Sequence, residues 1–306
     1  MKLFGREVHP QMALHHLRLA WWALRGGGTA LHRRVAASVL RDPSALEALG
    51  PYANEIPQAR LDDRRAVTLE DRDWRQCFGR RFAGRGLEIG ALHRPVPVPP
   101  GVRVDYVDRR THVELQADYP ELGPEQLVVP TVVTSAETLD GVADHAYDFL
   151  IAGHVIEHMR NPIGALASWA RVVRPGGLIY LIVPEKRTTF DAHRVRTTLE
   201  HLILDAQRPS RERDYEHYLD WALHVHGKRC EEALADADRL FDADYSIHFH
   251  VFQPDDIVDL VEWCGRVVTP MHVAEGPVAS PSDDEFHVLV RTGSSAPGRF
   301  AAESGV

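Results

Sequence analysis

Leu87-Glu88-Ile89-Gly90 and, after a turn, Val102-Arg103-Val104-Asp105-Tyr106-Val107-Asp108 are the stretch on which the fold turns. A short apolar strand ends in an acid-plus-glycine turn, and a second strand ends in an acid about 20 residues after the first. Glycine lets backbone approach a ligand closely. A carboxylate at the carboxyl end of the second strand can accept hydrogen bonds from ribose hydroxyls. The pair of strands therefore predicts a nucleoside-binding α/β sheet. Only 11 residues separate Gly90 from Val102, and Pro95, Pro97, Pro99 and Pro100 are among them. No α-helix runs through that spacing of prolines. The first crossover is expected to lack a helix, which argues against a pyrophosphate cofactor, since such a group relies on a helix N-terminus.

Downstream the pattern alternates. Gly86–Ile89, Val102–Val107, Leu127–Val129, Tyr147–Ala152 and Leu178–Val183 read as strands, short and apolar enough to be buried on both faces. Asn161 and Pro162 open a helix whose Ile163, Leu166, Trp169, Ala170 and Val173 share a face, and Pro175-Gly176-Gly177 is expected to end it. Residues 188–245 form a polar insertion with helices expected at Arg194–Asp205, Arg213–Val225 and Arg229–Phe241. A helix opened by Pro254-Asp255-Asp256 and closed at Gly265 follows, then β-like runs at Arg266–Thr269 and Glu285–Arg291. There is no internal repeat.

Composition narrows the function classes. The 306 residues suffice for one large α/β domain with extensions, and the 44% apolar and 26% charged residues are ordinary for a globular protein. A net charge of −9 argues against nucleic acid as the partner. Cys77, Cys230 and Cys264 are too few and too scattered for a disulfide framework or a thiolate zinc site, so a cytoplasmic location is expected. Residues 1–41 carry +6, leaving −15 on the remainder, and hold the apolar stretch Leu17 to Leu24 with Trp21 and Trp22. A basic helix of this kind suits peripheral contact with an anionic membrane surface. The plainer reading is packing on the catalytic domain or, in a homodimer, on a second subunit.

With Glu88-Ile89-Gly90, Asp108, Tyr147-Asp148-Phe149-Leu150-Ile151-Ala152-Gly153-His154-Val155-Ile156-Glu157-His158 and Arg171-Val172-Val173-Arg174-Pro175-Gly176-Gly177 in order, the chain resembles the S-adenosylmethionine-dependent methyltransferases of the Rossmann-like class, type 11 among them. The resemblance implies a seven-stranded, mostly parallel sheet of order 3-2-1-4-5-7-6 in a methyltransferase domain at 81–291. The insertion at 188–245 then follows strand 5, a helical N-terminal extension spans 1–80, and a mobile tail spans 292–306. It implies S-adenosyl-L-methionine as cofactor, with Glu88, Gly90 and the adjoining Ala91 by the methionine and ribose portions, Asp108 on the ribose hydroxyls, and Gly153 and His154 lining the pocket. Two departures stand out: Gly90-Ala91-Leu92 replaces a Gly-x-Gly loop, and Val133-Thr134-Ser135-Ala136 stands where the family places an acid near the adenine, leaving that part to Ser135 or a backbone N–H. Pro184-Glu185-Lys186-Arg187-Thr188-Thr189-Phe190-Asp191 is similar to a subgroup associated with surface-polysaccharide and glycan gene clusters.

Methyl transfer from a sulfonium is an in-line displacement, so the protein mainly aligns the reactants and excludes water. A hydroxyl acceptor also loses a proton, which a His or carboxylate can take. His158 is the first choice for that base, with Glu185 and His201 the further catalytic candidates; the alternatives are a pocket wall for His158 and an ion-paired loop for Glu185. His248 and His250 share a face in an extended segment and, with His217 or His201, offer imidazole ligands. Structural hydrogen bonding is the preferred reading, and no metal ligand is assigned. Tyr215, Tyr218 and Trp221 read as helix-face packing. The expected activity is O-methylation of a sugar-containing or other small-molecule natural product. The alternative is a non-methylating use of the sulfonium, such as alkyl transfer or cyclisation. A nicotinamide oxidoreductase is disfavoured by the proline-broken loop and by the lack of any Tyr-x-x-x-Lys pair.

Overall fold

The structure, a computed structural model, describes residues 72–280 and 284–293, together with the backbone of two-residue strands at 2–3, 6–7 and 68–69. The sheet is built from β1 (Arg85–Ile89), β2 (Arg103–Asp108), β3 (Val132–Val133), β4 (Tyr147–Gly153), β5 (Val173–Pro184), β6 (Met271–Ala279) and β7 (Glu285–Thr292). Side chains alternate between the faces of a strand, and here both faces are apolar. Leu150 and Ala152 of β4 join one core with Ile179, Leu181 and Val183 of β5. Phe149 and Ile151 join a second core with Tyr180 and Ile182. Helix α1 (Trp74–Gly79) brings Trp74 and Phe78 to the second core, while α3 (Pro162–Val172) and α7 (Pro254–Val267) close the first.

Strand order is β3-β2-β1-β4-β5-β7-β6, with Thr68–Leu69 added as an eighth, parallel strand on the edge of β6. The pairs among β1 to β5 are parallel, and β7 runs antiparallel between β5 and β6. This is the expected Rossmann-like order. Two compact units divide the chain: residues 65–208 with 248–306, which hold the sheet, and residues 1–64 with 209–247. In the latter, α5 (Arg211–His224) and α6 (Cys230–Asp242) are tied by Tyr215 Oη donating to Asp238 (2.7 Å) and by Tyr218 packing edge-on against Phe241. The remaining α-helices among the described residues are α2 (His112–Asp118) and α4 (Leu199–Gln207).

Several local expectations shift, each for a physical reason. The third strand is Val132–Val133 rather than Leu127–Val129: Val128 donates instead to Leu92 O (2.7 Å), and Pro130 then interrupts the donor row. Asn161 caps α3 as expected, accepting from Gly164 N at 2.9 Å. Val173, however, opens β5, and Pro175-Gly176-Gly177 lies inside that strand, where a Cβ on Gly177 would stand 2.5 Å from Asp148 O. Gly265 is interior to α7 because its missing Cβ admits Met271 O, which one would meet at 2.0 Å. Arg266 and Val267 complete that helix, so β6 starts only at Met271. The first insertion helix begins at Leu199 rather than Arg194, because Phe190–His193 takes a 3-10 turn.

At the N-terminus, Lys2–Leu3 pairs antiparallel with Arg6–Glu7, so those positions are extended rather than helical. The Leu17–Leu24 stretch and the tail beyond 293 lie outside the described residues. No helix among the described residues is long and apolar enough to cross a membrane.

Gly86 sits in the central strand where a Cβ would stand 2.0 Å from Phe149 Cε2, and that ring is stacked on Phe82 with centroids 4.4 Å apart. Gly86→Ala is expected to destabilise the fold by about 3 kcal/mol, read as a lower urea midpoint with an unchanged m-value.

Candidate functional site

Polar groups collect where the parallel strands end. After β1, the proline-rich segment folds back in extended form, as its prolines require, and Val96 N donates to Glu88 Oε1 at 2.9 Å. Glu88 Oε2 is buried with no hydrogen-bond partner among the described residues. Burial pushes the Glu88 carboxyl up to about 7, against the Val96 hydrogen bond and nearby Arg75. Gly90 takes φ +65, and a Cβ there would fill space 3.3 Å from Val155 Cγ2. After β2, Asp108 accepts from Arg110 N at 3.0 Å, and burial raises its carboxyl above the usual range. Ala91 O accepts from Arg94 N in the turn after Gly90, and Ser135 Oγ accepts from Glu137 N at 3.2 Å on an exposed turn after β3.

β4 ends in Gly153 and His154, the latter in the left-handed region at φ +54, an unusual conformation for a residue with a Cβ. The conformation is accompanied by a hydrogen bond: His154 Nε2 lies 2.7 Å from Glu285 Oε2. Arg75 of α1 grips the same carboxylate with both Nε (2.8 Å) and Nη2 (2.7 Å). Burial would raise the Glu285 carboxyl, but Arg75 and His154 hold it far below the usual carboxylate range. His154 moves the other way: burial opposes its charge, yet Glu285 and Glu157 raise it.

The 3-10 turn Ile156–His158 presents a second group. Glu157 is wholly buried, and neither of its carboxylate oxygens has a hydrogen-bond partner among the described residues. His158 Nε2 is 4.0 Å from Glu157 Oε1, and its ring stands edge-on to that of His248 with centroids 4.7 Å apart. His248 Nδ1 lies 2.6 Å from Asp191 Oδ2, and Asp191 also takes Arg194 Nη1 at 2.8 Å. Although burial would raise it, Asp191 is held low by these two partners.

The three catalytic candidates therefore have different partners. His158 stands with Glu157 and His248. Glu185, at the end of β5, accepts from Arg187 N, Nε and Nη2 at 2.9–3.0 Å, which is the ion-paired loop. His201 on α4 stands with Asp205 (2.9 Å) and edge-on to His250. His248 and His250 are both hydrogen-bonded, the latter donating its amide to Glu157 O (3.1 Å) and placing Nε2 3.3 Å from Arg160 O.

Sequence reasoning assigned no role to Glu157, Arg75 or Glu285, and paired Asp191 with Glu185 as a substrate contact or an ion-paired loop. Glu157 was legible as the acid before His158 in the same motif. Glu285 is visible only through topology, since β7 returns antiparallel and sets Glu285 against Pro184.

An adenosyl sulfonium fits the first group of residues. The orphaned Glu88 oxygen suits an ammonium, Asp108 offers carboxylate acceptors at the end of β2, Gly90 leaves a cradle, and the β1–β2 crossover contains no helix.

Glu285 has a depressed folded-state pKa, so its contribution to stability is present above the unfolded carboxylate range and is lost as pH falls through the folded value. His154 has a raised one, so its contribution is present below the unfolded histidine value and is lost as pH rises through the folded value. Glu285→Gln is therefore expected to cost about 3 kcal/mol between about pH 5 and 6.5, with the gap narrowing under stronger acid and at alkaline pH. Denaturant titrations across pH measure it.

No curated protein matches this sequence. Similar solved structures include a protein described as a Zn-dependent alcohol dehydrogenase of Rhodobacter sphaeroides (11% identity, 74% of this chain and 92% of that one, TM-score 0.48). A SAM-dependent methyltransferase of Methanosarcina mazei shares 14% identity over 69% of this chain and 92% of its own, at TM-score 0.34. One from Aquifex aeolicus shares 14% over 84% and 96%, at 0.38. The strand order above, rather than these similarities, fixes the fold class. Residues 98–181 match the methyltransferase domain family, a span that takes in Asp108, Ser135 and the Gly153–His158 turn, and S-adenosylmethionine is the cofactor that this domain uses.

Proposed function

We propose that the protein is an S-adenosylmethionine-dependent methyltransferase acting on a hydroxyl of a small, sugar-containing or natural-product substrate. The observation that carries this reading is the pair of carboxylates, buried Glu88 and half-buried Asp108, at the carboxyl ends of adjacent parallel strands with no helix in the connection between them. Such an edge offers acceptors for an ammonium and for ribose hydroxyls, and no helix end for a pyrophosphate.

The cofactor supplies a methyl group already activated on a sulfonium. Glu88 holds the methionine ammonium, Asp108 holds the ribose, and Gly90 and Ala91 let the backbone approach. Gly153 and His154 wall the pocket, with His154 kept in place by Glu285. Ser135 lies on the adenine side. The acceptor hydroxyl faces the His158 group, where a neutral imidazole can take its proton as the oxygen attacks. Glu185 and His201 flank the acceptor entrance and act on substrate choice. The subgroup resemblance of Pro184–Asp191 supports a glycan-type acceptor.

The test is incubation of the purified protein with methyl-labelled cofactor and candidate acceptors. S-adenosylhomocysteine with a product about 14 Da heavier, the mass of one CH₂, supports methyl transfer, whereas label retained on methylthioadenosine supports the alkyl-transfer alternative. Asp108→Ala is expected to weaken cofactor binding about 30-fold, from roughly 2 kcal/mol of lost charge-assisted hydrogen bonding. His158→Ala should reduce turnover by about 10²-fold with cofactor affinity retained. Because the Glu88 carboxyl sits at about 7 and must ionise to receive a cation, cofactor affinity should rise with pH through neutrality. Glu88→Gln should flatten that dependence in calorimetric titrations.

A further inference from the structure

The geometry points to a divalent transition-metal site at the carboxyl edge of β4, with Glu157, His158 and His248 as its protein ligands and Asp191 as the outer partner of His248. One ligand atom from each of the three lies within 4.8 Å of the others. Ligand atoms each about 2.0–2.2 Å from a zinc-type ion stand at most about 4 Å apart, so adjustments of under about 1 Å would close the three around an ion.

The carboxylate supplies an independent observation. Glu157 is 0% exposed and, among the described residues, neither of its oxygens has a hydrogen-bond partner. Its nearest basic atoms, His154 Nδ1 at 3.7 Å and His158 Nε2 at 4.0 Å, lie beyond hydrogen-bond reach. A buried carboxylate in that position is costly unless something meets it. His154 meets Glu285 through Nε2 at 2.7 Å, while its Nδ1 stays 3.7 Å from Glu157, too far for a hydrogen bond.

Backbone and outer partners hold the other ligands. The His250 amide bonds Glu157 O at 3.1 Å, which pins the segment carrying His248 against the turn carrying Glu157 and His158. Asp191 fixes His248 through Nδ1 at 2.6 Å, itself steadied by Arg194, and Nε2 is the nitrogen proposed to ligate. A carboxylate behind a ligating imidazole is a recurrent way of setting its tautomer and ring orientation.

Two imidazoles and one carboxylate suit zinc and its first-row neighbours rather than calcium or magnesium, which take oxygen sets. Three protein ligands leave a coordination position for an oxygen. The ion site stands on these side chains alone. Only the identification of that oxygen as the acceptor hydroxyl rests on the methyltransferase reading. In that case His158 serves as a ligand in place of the base role given above, the ion acidifies the bound hydroxyl, and the proton leaves to water.

The experiment uses the full-length protein, stripped with chelator, dialysed, and titrated calorimetrically with zinc chloride, with cobalt chloride absorption reporting nitrogen and oxygen ligation. One equivalent is expected to bind, and zinc should raise the thermal midpoint. Glu157→Gln and His248→Ala should each weaken binding at least tenfold, and Asp191→Asn about tenfold, with far-UV circular dichroism checking that each variant folds. His201→Ala should leave stoichiometry and affinity unchanged. No zinc uptake by the wild type overturns the site, as does uptake unaffected by both Glu157→Gln and Asp191→Asn, or uptake abolished by His201→Ala, which would put the ion on the neighbouring group. Binding of S-adenosylhomocysteine is measured separately. Zinc without that ligand would keep the ion site and remove the methyltransferase reading, and the converse would do the reverse.

Discussion

Strands buried on both faces leave polar chemistry one place to stand, beyond their last ladder hydrogen bond. Across β4 and β5 the residues Leu150, Ile151, Ala152, Ile179, Leu181 and Ile182 carry no polar side chain and are almost wholly buried. Any ionisable group among them would need an internal partner or would shed its charge. Glu88 is one exception, since it lies one residue inside the end of β1 and faces away from the Leu87 and Ile89 side. The chain meets that demand with a backbone amide, Val96 N, carried back over the sheet by the proline-rich segment. The missing crossover helix and the buried acid are thus one feature: the extended path that prolines impose is the path that delivers the amide.

That coupling explains why much of the fold was legible. Glu88, Gly90 and the prolines fixed the first crossover, and Asn161-Pro162 fixed the start of α3, because these are local effects of backbone geometry. Element ends set by tertiary contact were not legible. Gly265 reads as a helix stop, yet it serves close approach to Met271 O. Gly177 reads as a turn, yet it lies within a strand and makes room for Asp148 O. Glycine carries two meanings, conformational freedom and the absence of a side chain, and sequence does not separate them. The Leu127–Val129 run fails for a related reason: apolar character marks burial, and Leu127 is buried, but strand pairing needs a neighbour, which falls instead to Val132 and Val133.

The candidate site divides along the same line. Asp108, Gly90 and the Gly153–His158 turn sit in motifs whose spacing is short, so each could be placed from its neighbours. Arg75 and Glu285 stand 210 positions apart, and only the antiparallel return of β7 brings Glu285 to the edge. Asp191 and His248 likewise stand 57 apart across the insertion. Long-range pairs of this kind carry no local periodicity, and side chains that read as surface charge become the clamps of the edge.

Those clamps are unequal, and the inequality organises the chemistry. His154 stands between two carboxylates, at 2.7 Å from Glu285 and 3.7 Å from Glu157. The shorter distance is a hydrogen bond and the longer is not, so the imidazole belongs to Glu285, which Arg75 also holds. Glu285 thereby has two basic partners while Glu157, more deeply buried, has none within hydrogen-bond reach. Had His154 turned to Glu157 instead, Glu285 would still keep Arg75, and each acid would have its own cation. The left-handed backbone at His154 goes with the arrangement actually adopted, which leaves negative charge beside His158 and His248. A conformation that is sparsely populated for such a residue and a carboxylate left unmet occur three residues apart, and both are accounted for if that charge is there to receive a cation.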